Sequence, residues 1–234
     1  MFDVIAFDAD DTLWHTESLY VCVHDQVKQL LSAYGSEEDI EKTLHKFDIV
    51  NLPYYGYGIK GFILSMIEAA VEISKGKIPS NDIQKIIEMT RMMLMADVRL
   101  LDHTQKVVSE LAQRYPLMVI TKGDLFDQES KLVRSGLKPF FQHIEIISNK
   151  TTESYAELFD KYRIPPARFL MIGNSLKSDI LPVLELGGKA VFIPYRITWA
   201  HEEAQAPEEG KGNYFVLDDL MLLPELLESL SKKG

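Results

Sequence analysis

Residues 4–13 read VIAFDADDTL, a run of four apolar residues that passes directly into a cluster of aspartates. A short apolar run rich in β-branched residues predicts a buried strand, and the polar residues after it predict a loop at the end of that strand. Alternate residues of an extended chain project to the same side, so the side chains of Asp8 and Asp10 are expected to face one pocket. This stretch therefore predicts the first strand and the place of a site.

Further apolar runs of strand length follow along the chain, mostly with helical patterns between them. The runs cover residues 117–120, 144–147, 169–172 and 190–193, and the helical patterns cover 105–114, 126–135, 153–162 and 180–186. Strands that are apolar throughout and alternate with helices are typical of a parallel sheet buried on both faces. We therefore predict an α/β fold, a Rossmann-like parallel sheet with helices on both faces, whose ligands bind at the carboxyl ends of the strands.

One long segment interrupts this alternation between the first and second strands. Helices are predicted there over residues 19–34, 36–46, 62–74 and 80–95. Ser36 and Ser80, each followed closely by acidic residues, have the character of helix N-termini. We interpret the segment as an inserted all-helical domain over 16–101, with the α/β domain formed by 1–15 and 102–234.

Composition restricts the partners. The formal net charge is −10, and a surface this acidic repels nucleic acid and anionic lipid. No stretch reaches the roughly 20 apolar residues that a membrane helix needs. The single cysteine, Cys22, excludes a disulfide within the chain and fits a cytoplasmic location. We expect no nucleic-acid or membrane partner, and the oligomeric state stays open with a monomer favoured.

The ends of the first four strands carry residues suited to phosphoryl transfer. They are Asp8 and Asp10, then Thr121-Lys122-Gly123, then Lys150, then Asn174 with Asp179 close behind. One carboxylate can attack phosphorus while another supplies and takes up a proton. Two carboxylates about 4 Å apart repel each other by roughly 4 kcal/mol at an effective dielectric constant near 20. A hard divalent cation offsets this repulsion, and Mg²⁺ suits a sparse oxygen site shared with a phosphate.

These segments resemble the motifs of the haloacid dehalogenase-like hydrolase superfamily. The first motif is matched by FDADDTL at 7–13, the second by Thr121, the lysine motif by Lys150 and the fourth by GNSLKSD at 173–179. The match covers nearly the whole chain, and its motifs fall in the family's order at successive strand ends. The inserted helical block is similar to the family's first type of cap, which closes over the site and selects the substrate.

The resemblance implies a role for each matched residue. Asp8 would be the nucleophile and a metal ligand, and Asp10 the general acid and base, with its main-chain carbonyl on the metal. Thr121 and Lys150 would bind the phosphoryl oxygens. Lys122 and Gly123, which directly follow Thr121, would also contact the substrate. Asp179 would orient Lys150 or the water shell of the metal. The expected ligand set is Asp8, Asp10, Asn174 and Asp179.

Two residues depart from the family pattern. Asn174 stands where most relatives have an aspartate, so one negative charge is lost, weaker magnesium affinity is expected, and Asp179 takes a larger role. Asp11 stands where most have glycine, between the catalytic aspartate and the threonine. We expect Asp11 to be an exposed turn residue or, alternatively, a residue that alters metal affinity.

Two further patterns need an interpretation. Residues 56–61, GYGIKG, match the dinucleotide fingerprint, but no strand precedes them and no βαβ unit surrounds them. They precede a predicted helix of the inserted domain, so Lys60 is expected either to contact the leaving group or to lie in a flexible loop. The histidines show no metal-ligand spacing and are interpreted as structural or surface residues: His15, His24, His45, His103, His143 and His201.

The leading hypothesis is a magnesium-dependent phosphatase that acts on small-molecule phosphate monoesters through an aspartyl-phosphate on Asp8. A phosphomutase-like phosphotransferase uses the same groups. A 2-haloacid dehalogenase shares the fold and the nucleophile, but halide needs no proton, so Asp10 favours phosphate chemistry. A non-catalytic binding module is the remaining alternative, and Asn174 is its best support.

Overall fold

The computed structural model describes residues 2–197, 199–207 and 212–232. The chain divides into two compact units. The core unit comprises Met1–His15, Val98–Lys122 and Gln128–Gly234, and the helical unit comprises Thr16–Asp97 and Gly123–Asp127. Two short segments differ from the predicted division. Residues 98–101, predicted as part of the inserted domain, group with the core unit, and residues 123–127, predicted as part of the α/β domain, group with the helical unit.

The strands and helices of the core unit follow the predicted alternation. The strands are β1 (Val4–Phe7), β2 (Leu117–Lys122), β3 (His143–Ile147), β4 (Phe169–Gly173), β5 (Lys189–Phe192) and β6 (Tyr214–Val216). The helices are α6 (Thr104–Leu111), α7 (Leu125–Arg134), α8 (Thr152–Tyr162), α9 (Leu181–Glu185) and α10 (Leu223–Lys232), and a π-helical turn, Leu176–Ile180, precedes α9. The five predicted strands agree with the observed ones to within two residues, and β6 and α10 are additions to the prediction.

The described strands form one six-stranded parallel sheet in the order β3-β2-β1-β4-β5-β6. Both faces of β1 are buried: Ile5 and Phe7 pack in a cluster with residues of α6 and α10, while Val4 and Ala6 pack in a cluster with residues of α8 and α9. Burial on both faces is the reason why these strands are apolar throughout. The predicted α/β class with a Rossmann-like sheet is confirmed.

The helical unit consists of α1 (Glu17–Leu31), α2 (Glu37–Val50), α3 (Leu52–Tyr55), α4 (Ile59–Ile73) and α5 (Ser80–Met95). Its core is formed by one apolar stripe from each long helix, including Leu31, Leu44, Met66 and Ile86, none of which is exposed. The side chain of Ser36 accepts a hydrogen bond from the amide of Asp39 and caps α2, as the sequence indicated. Within the described residues, no helix is long and apolar enough to cross a bilayer.

Candidate active site

The order of the strands puts β1 in the middle of the sheet, between β2 and β4. Asp8 directly follows β1, and its amide donates a hydrogen bond of 2.8 Å to the carbonyl of Ile172 in β4. Gly173 ends β4, and Thr121 and Lys122 end β2. Because the strands are parallel, their carboxyl ends share one edge, so Asp8 lies between the polar residues of the two neighbouring strands.

A buried ammonium group joins two aspartates at this edge. Lys150 Nζ lies 2.5 Å from Asp8 Oδ1 and 2.7 Å from Asp179 Oδ1. All three side chains are buried, and those of Lys150 and Asp179 are 1% exposed. Asp8, Lys150 and Asp179 thus meet although they lie as much as 171 positions apart in the chain (179 − 8).

The position of Asp179 depends on the turn after β4. A Cβ atom on Gly173 would lie 2.2 Å from Asp179 Oδ2, closer than any side chain tolerates, so only glycine admits this carboxylate. The amide of Ser175 donates a hydrogen bond of 3.0 Å to Asp179 Oδ2. The glycine and serine of the fourth motif therefore fix the carboxylate that holds Lys150.

The second oxygen of Asp8 faces a group of further oxygen atoms. Thr12 Oγ1 donates to Asp8 Oδ2 at 3.0 Å. One terminal atom of the Asn174 amide lies 3.3 Å from Asp8 Oδ2 and 3.3 Å from the main-chain oxygen of Asp10. If this atom is nitrogen, it donates to both oxygens; if it is oxygen, three oxygen atoms face one another, which is favourable only around a cation. Asp8, Asp10 and Asn174 can therefore meet at one ion.

The carboxylate of Asp10 has its own partners. Trp14 Nε1 and Lys131 Nζ lie 2.7 and 2.8 Å from Oδ1, and Gln128 Nε2 lies 2.7 Å from Oδ2. Trp14 is 1% exposed and packs in the apolar cluster of the core unit. These three contacts, which sequence reasoning missed, hold the Asp10 side chain in a defined orientation.

The other predicted substrate contacts lie in different surroundings. Thr121 is buried at the end of β2, and its hydroxyl lies 3.4 Å from the main-chain oxygen of Lys122. Lys122 Nζ donates to Ser178 Oγ at 2.9 Å and to Glu202 Oε1 at 2.6 Å. Gly123 and Lys60 belong to the helical unit, where Lys60 Nζ forms an ion pair of 2.8 Å with Asp124. Lys60 lies in the first turn of α4, so the expectation that it lies in a loop was wrong.

Glu202 is a residue of the site that the sequence did not point to. Its Oε1 binds Lys122, and its Oε2 accepts hydrogen bonds from Ser175 Oγ at 2.6 Å and from Ser178 Oγ at 2.5 Å. It therefore connects the loop after β5 to the ends of β2 and β4. Residues 194–207 show no motif, so no local signal indicated this contact.

Burial and charge act together on the central groups. Burial raises the pKa of Asp8 to about 7, Lys150 opposes the shift, and Asp179 and Asp10 add to it. Burial lowers the pKa of Lys150, but Asp179 and Asp8 outweigh that effect and hold the pKa above its usual value. Lys150 is therefore an ammonium ion, and another positive charge near Asp8 would favour the ionised form that a nucleophile requires.

The position of Asp11 explains one departure from the family pattern and corrects one expectation. Its backbone adopts a left-handed conformation with φ of 60°, which favours glycine but is tolerated by aspartate. The expectation of an exposed turn residue was wrong, because Asp11 is 6% exposed. Burial and the Asp11 carboxylate raise the pKa of Tyr195, whose hydroxyl lies 2.7 Å from His15 Nδ1. Asp11 thus lies in a buried polar cluster beside the first motif.

A family model for the haloacid dehalogenase-like hydrolases matches residues 2–187. The chain belongs to this family. A haloacid dehalogenase-like family hydrolase from Xanthomonas campestris has a similar solved structure, with a TM-score of 0.87 and 33% sequence identity over 99% of this chain and 97% of that one. The resemblance predicted from the motifs is confirmed.

Curated relatives of this haloacid dehalogenase-like hydrolase carry the names of phosphatases. A glyceraldehyde 3-phosphate phosphatase from Methanocaldococcus jannaschii is 28% identical over 241 residues, which cover 99% of this chain and 100% of the relative. An N-acylneuraminate-9-phosphatase from Mus musculus is 24% identical over 244 residues, which cover 98% of this chain and 95% of the relative. The similarity thus extends over both units of the chain.

Replacing Glu202 with glutamine is expected to destabilise the hydrolase. Burial raises the pKa of Glu202, but Lys122, Ser175 and Ser178 outweigh it and lower the pKa from 4.5 to about 2. Because the pKa is lower in the folded chain than in the unfolded chain, the ionised Glu202 stabilises the fold by about 3 kcal/mol at pH values above about 4.5. This contribution is lost as the pH falls from about 4.5 to about 2. Urea unfolding at pH 7 should show a loss of this order for Glu202→Gln, and a smaller loss at pH 4.

The exposed neighbour Glu203 provides the control, because Glu203→Gln should leave the free energy of unfolding within about 0.5 kcal/mol of the unmodified protein. Equal stability of Glu202→Gln and Glu203→Gln at pH 7 would show that the Lys122–Glu202 pair contributes nothing.

Proposed function

We propose that this hydrolase cleaves small-molecule phosphate monoesters, with Asp8 as the nucleophile and an aspartyl-phosphate as the intermediate. The observation that carries the proposal is the setting of the Asp8 carboxylate. Lys150 binds one of its oxygens at 2.5 Å and Thr12 binds the other at 3.0 Å, at the carboxyl end of the central strand. A buried carboxylate beside a fixed ammonium group is arranged to attack an anionic centre whose charge the ammonium neutralises.

The curated relatives support the phosphate chemistry. Glyceraldehyde 3-phosphate and N-acylneuraminate 9-phosphate, the compounds in their names, are phosphate monoesters of small polyhydroxylated molecules. We therefore place the substrate of this chain in the same class. The acidic balance of the sequence agrees with a small substrate rather than a polyanion.

The residues beside Asp8 fit a magnesium ion. One terminal atom of the Asn174 amide lies 3.3 Å from Asp8 Oδ2 and 3.3 Å from the main-chain oxygen of Asp10. Adjacent oxygen ligands of octahedral Mg²⁺ are separated by about 3 Å, since each lies about 2.1 Å from the ion. These three groups would hold the ion, with Asp179 as a further carboxylate close by. Bound there, the ion would neutralise charge on the phosphoryl oxygens as a Lewis acid.

The steps of the reaction follow from the groups of the chain. Asp8 Oδ attacks phosphorus as the bond from phosphorus to the leaving oxygen breaks, and Asp10 gives its proton to that oxygen. Asp10, now ionised, takes a proton from water, whose oxygen attacks phosphorus and releases Asp8 with inorganic phosphate. Lys150 and Thr121 bind the phosphoryl oxygens in both steps, and Lys122, Gly123 and Lys60 are proposed as further substrate contacts.

The role of Asp10 requires a change of partners. Trp14, Gln128 and Lys131 occupy both of its carboxylate oxygens. A carboxylate that gives a proton to the leaving group must exchange at least one of these contacts for the substrate. Lys131 favours the ionised form that Asp10 reaches after the first step, so its ion pair with Asp10 suits the second half of the cycle.

Hydrolysis of a chromogenic phosphate ester tests the proposal. The purified protein should release phosphate in millimolar Mg²⁺, and the rate should fall to background with excess chelator and return when Mg²⁺ is added. Chloride release from a 2-haloacid without phosphate release would support the dehalogenase alternative instead. A panel of sugar and sugar-acid phosphates would then identify the substrate, and no turnover of any ester would overturn the proposal.

Replacing Asn174 with aspartate is expected to tighten the apparent affinity for Mg²⁺ by about tenfold or more, because the ion gains a charged ligand. The measurement is the Mg²⁺ concentration at half-maximal hydrolysis. Asn213→Asp, which adds the same charge elsewhere in the core unit, is the control. An unchanged Mg²⁺ dependence of Asn174→Asp would mean that this side chain does not reach the ion.

A further inference from the structure

A second group of potential metal ligands lies in the helical unit, between α1 and α2. His24 of α1 and Glu41 and His45 of α2 each offer a ligand atom, and these atoms lie within 4.8 Å of one another. His45 Nε2 is 3.0 Å from Glu41 Oε1, and His24 Nδ1 is 4.0 Å from the same oxygen. The two imidazole rings are 4.8 Å apart between centroids, at an angle of 31°.

From this geometry we propose that His24, Glu41 and His45 bind a divalent transition-metal ion of the Zn²⁺ type. Imidazole nitrogens and a carboxylate oxygen form the donor set that Zn²⁺ prefers, at 2.0–2.2 Å. Ligand atoms around a tetrahedral ion at that radius are about 3.3 Å apart. The separations of Glu41 Oε1 from His45 Nε2 and from His24 Nδ1, 3.0 and 4.0 Å, lie on either side of this value.

The helices themselves create the site. Glu41 and His45 are four residues apart on α2, so they lie on one face of that helix, as two ligands of a helical zinc motif do. His24 is brought to them by the packing of α1 against α2. The histidines are 21 positions apart in sequence (45 − 24), which is why their spacing did not indicate a metal site.

His24 is mostly buried, whereas Glu41 and His45 are partly exposed to solvent. Nδ1 of His24 is directed to Glu41 Oε1, and its buried Nε2 has no hydrogen-bond partner among the residues that the structure describes, so no hydrogen bond at Nε2 holds the ring away from an ion at Nδ1. The side chain of His24 is 12% exposed, whereas those of Glu41 and His45 are 37% and 53% exposed. A metal ion can therefore enter from solvent on the side of α2.

Lys28 defines how Glu41 would bind the ion. Its ammonium group lies 3.0 Å from Glu41 Oε2 and leaves Oε1 directed to the histidines. Glu41 can then bind the metal through Oε1 while Lys28 orients the carboxylate through Oε2, as outer partners of metal ligands do. Asp25 and Glu37, 3.4 and 3.5 Å from Lys28, more than balance its positive charge. The local charge thus remains favourable to a cation.

Calorimetric titration of the full-length protein with ZnCl₂, in millimolar Mg²⁺ to occupy the oxygen-rich site at Asp8, tests the proposal. The unmodified protein should bind one Zn²⁺ more than His45→Gln, or should bind that ion at least about 100-fold more tightly. The reason is that His45→Gln loses a direct ligand, whereas loss of a residue that only orients a ligand already weakens metal affinity about 10–100-fold. Zn²⁺ should also raise the melting temperature of the unmodified protein more than that of His45→Gln. His45 is half-exposed, so this variant should fold normally.

His103→Gln is the matched control, because His103 also faces a carboxylate, Asp219 at 3.8 Å, but in the core unit. This variant should keep the full Zn²⁺ stoichiometry. Identical stoichiometry and affinity in the unmodified protein, His45→Gln and His24→Gln would overturn the proposal, and so would the absence of Zn²⁺ binding in the unmodified protein below 1 mM. These readouts do not involve hydrolysis, so they are independent of the proposed phosphatase function.

Discussion

Replacing Asp8 with asparagine is expected to reduce phosphate ester hydrolysis by at least about 10⁴-fold, in the range known for the loss of a nucleophile. The amide has nearly the same shape as the carboxylate, but its oxygen is a poor nucleophile and carries no charge for Lys150 or the metal. The measurement is kcat for the best ester at saturating Mg²⁺. Acid quenching during turnover should trap a phosphoryl group on the unmodified protein and none on Asp8→Asn.

The same variant should keep its fold. Because burial raises the pKa of Asp8 from 3.8 to about 7, this carboxyl lowers the stability of the fold progressively as the pH rises from about 4 to about 7, and the full cost persists above pH 7; asparagine removes it. The free energy of unfolding of Asp8→Asn at pH 8 should therefore equal or exceed that of the unmodified protein. Asp218→Asn, an exposed substitution in the core unit, should change neither activity nor stability. Hydrolysis by folded Asp8→Asn above a few per cent of the normal rate would show that another group attacks phosphorus.

Replacing Lys150 with methionine is expected to abolish hydrolysis and to lower the free energy of unfolding by about 3–5 kcal/mol, the usual cost of breaking a buried ion pair. Methionine fills much of the same space but leaves the carboxylates of Asp8 and Asp179 buried without their shared cation. Those side chains are 10% and 1% exposed, so water cannot replace the ammonium group. Urea unfolding at pH 7 measures the loss.

Two comparisons separate the buried pair from a general effect of lost charge. Lys161→Met removes an ammonium group that is 57% exposed and 2.7 Å from Glu145, and such a surface pair contributes about 1 kcal/mol or less. Adding Asp179→Asn to Lys150→Met removes one of the uncompensated carboxylates, so it should restore part of the stability without restoring activity. A loss for Lys150→Met no greater than that for Lys161→Met would contradict the charge network described at Asp8.

Local patterns predicted the sheet and the first set of site residues for a physical reason. A strand buried on both faces must be apolar over its whole length, so the runs at 4–7 and 169–172 are visible in the residue order. Parallel strands bring their carboxyl ends to one edge, so the polar residues after them were expected to meet, and Asp8, Lys150 and Asp179 do meet. The strand β6 has only three residues, too few for a periodic pattern to form.

Local sequence patterns could not predict contacts between residues that are far apart in the chain. Glu202 reaches Lys122 across 80 positions, and nothing in the loop around it marks it as a site residue. The same limit hid the group formed by His24, Glu41 and His45, since it depends on the packing of α1 against α2. Which polar residues follow a strand is a property of the local sequence, whereas which charges share a low-dielectric space is determined by packing between segments. Folding therefore decided the partners of Asp10, the burial of Asp11 and the place of the second ligand group.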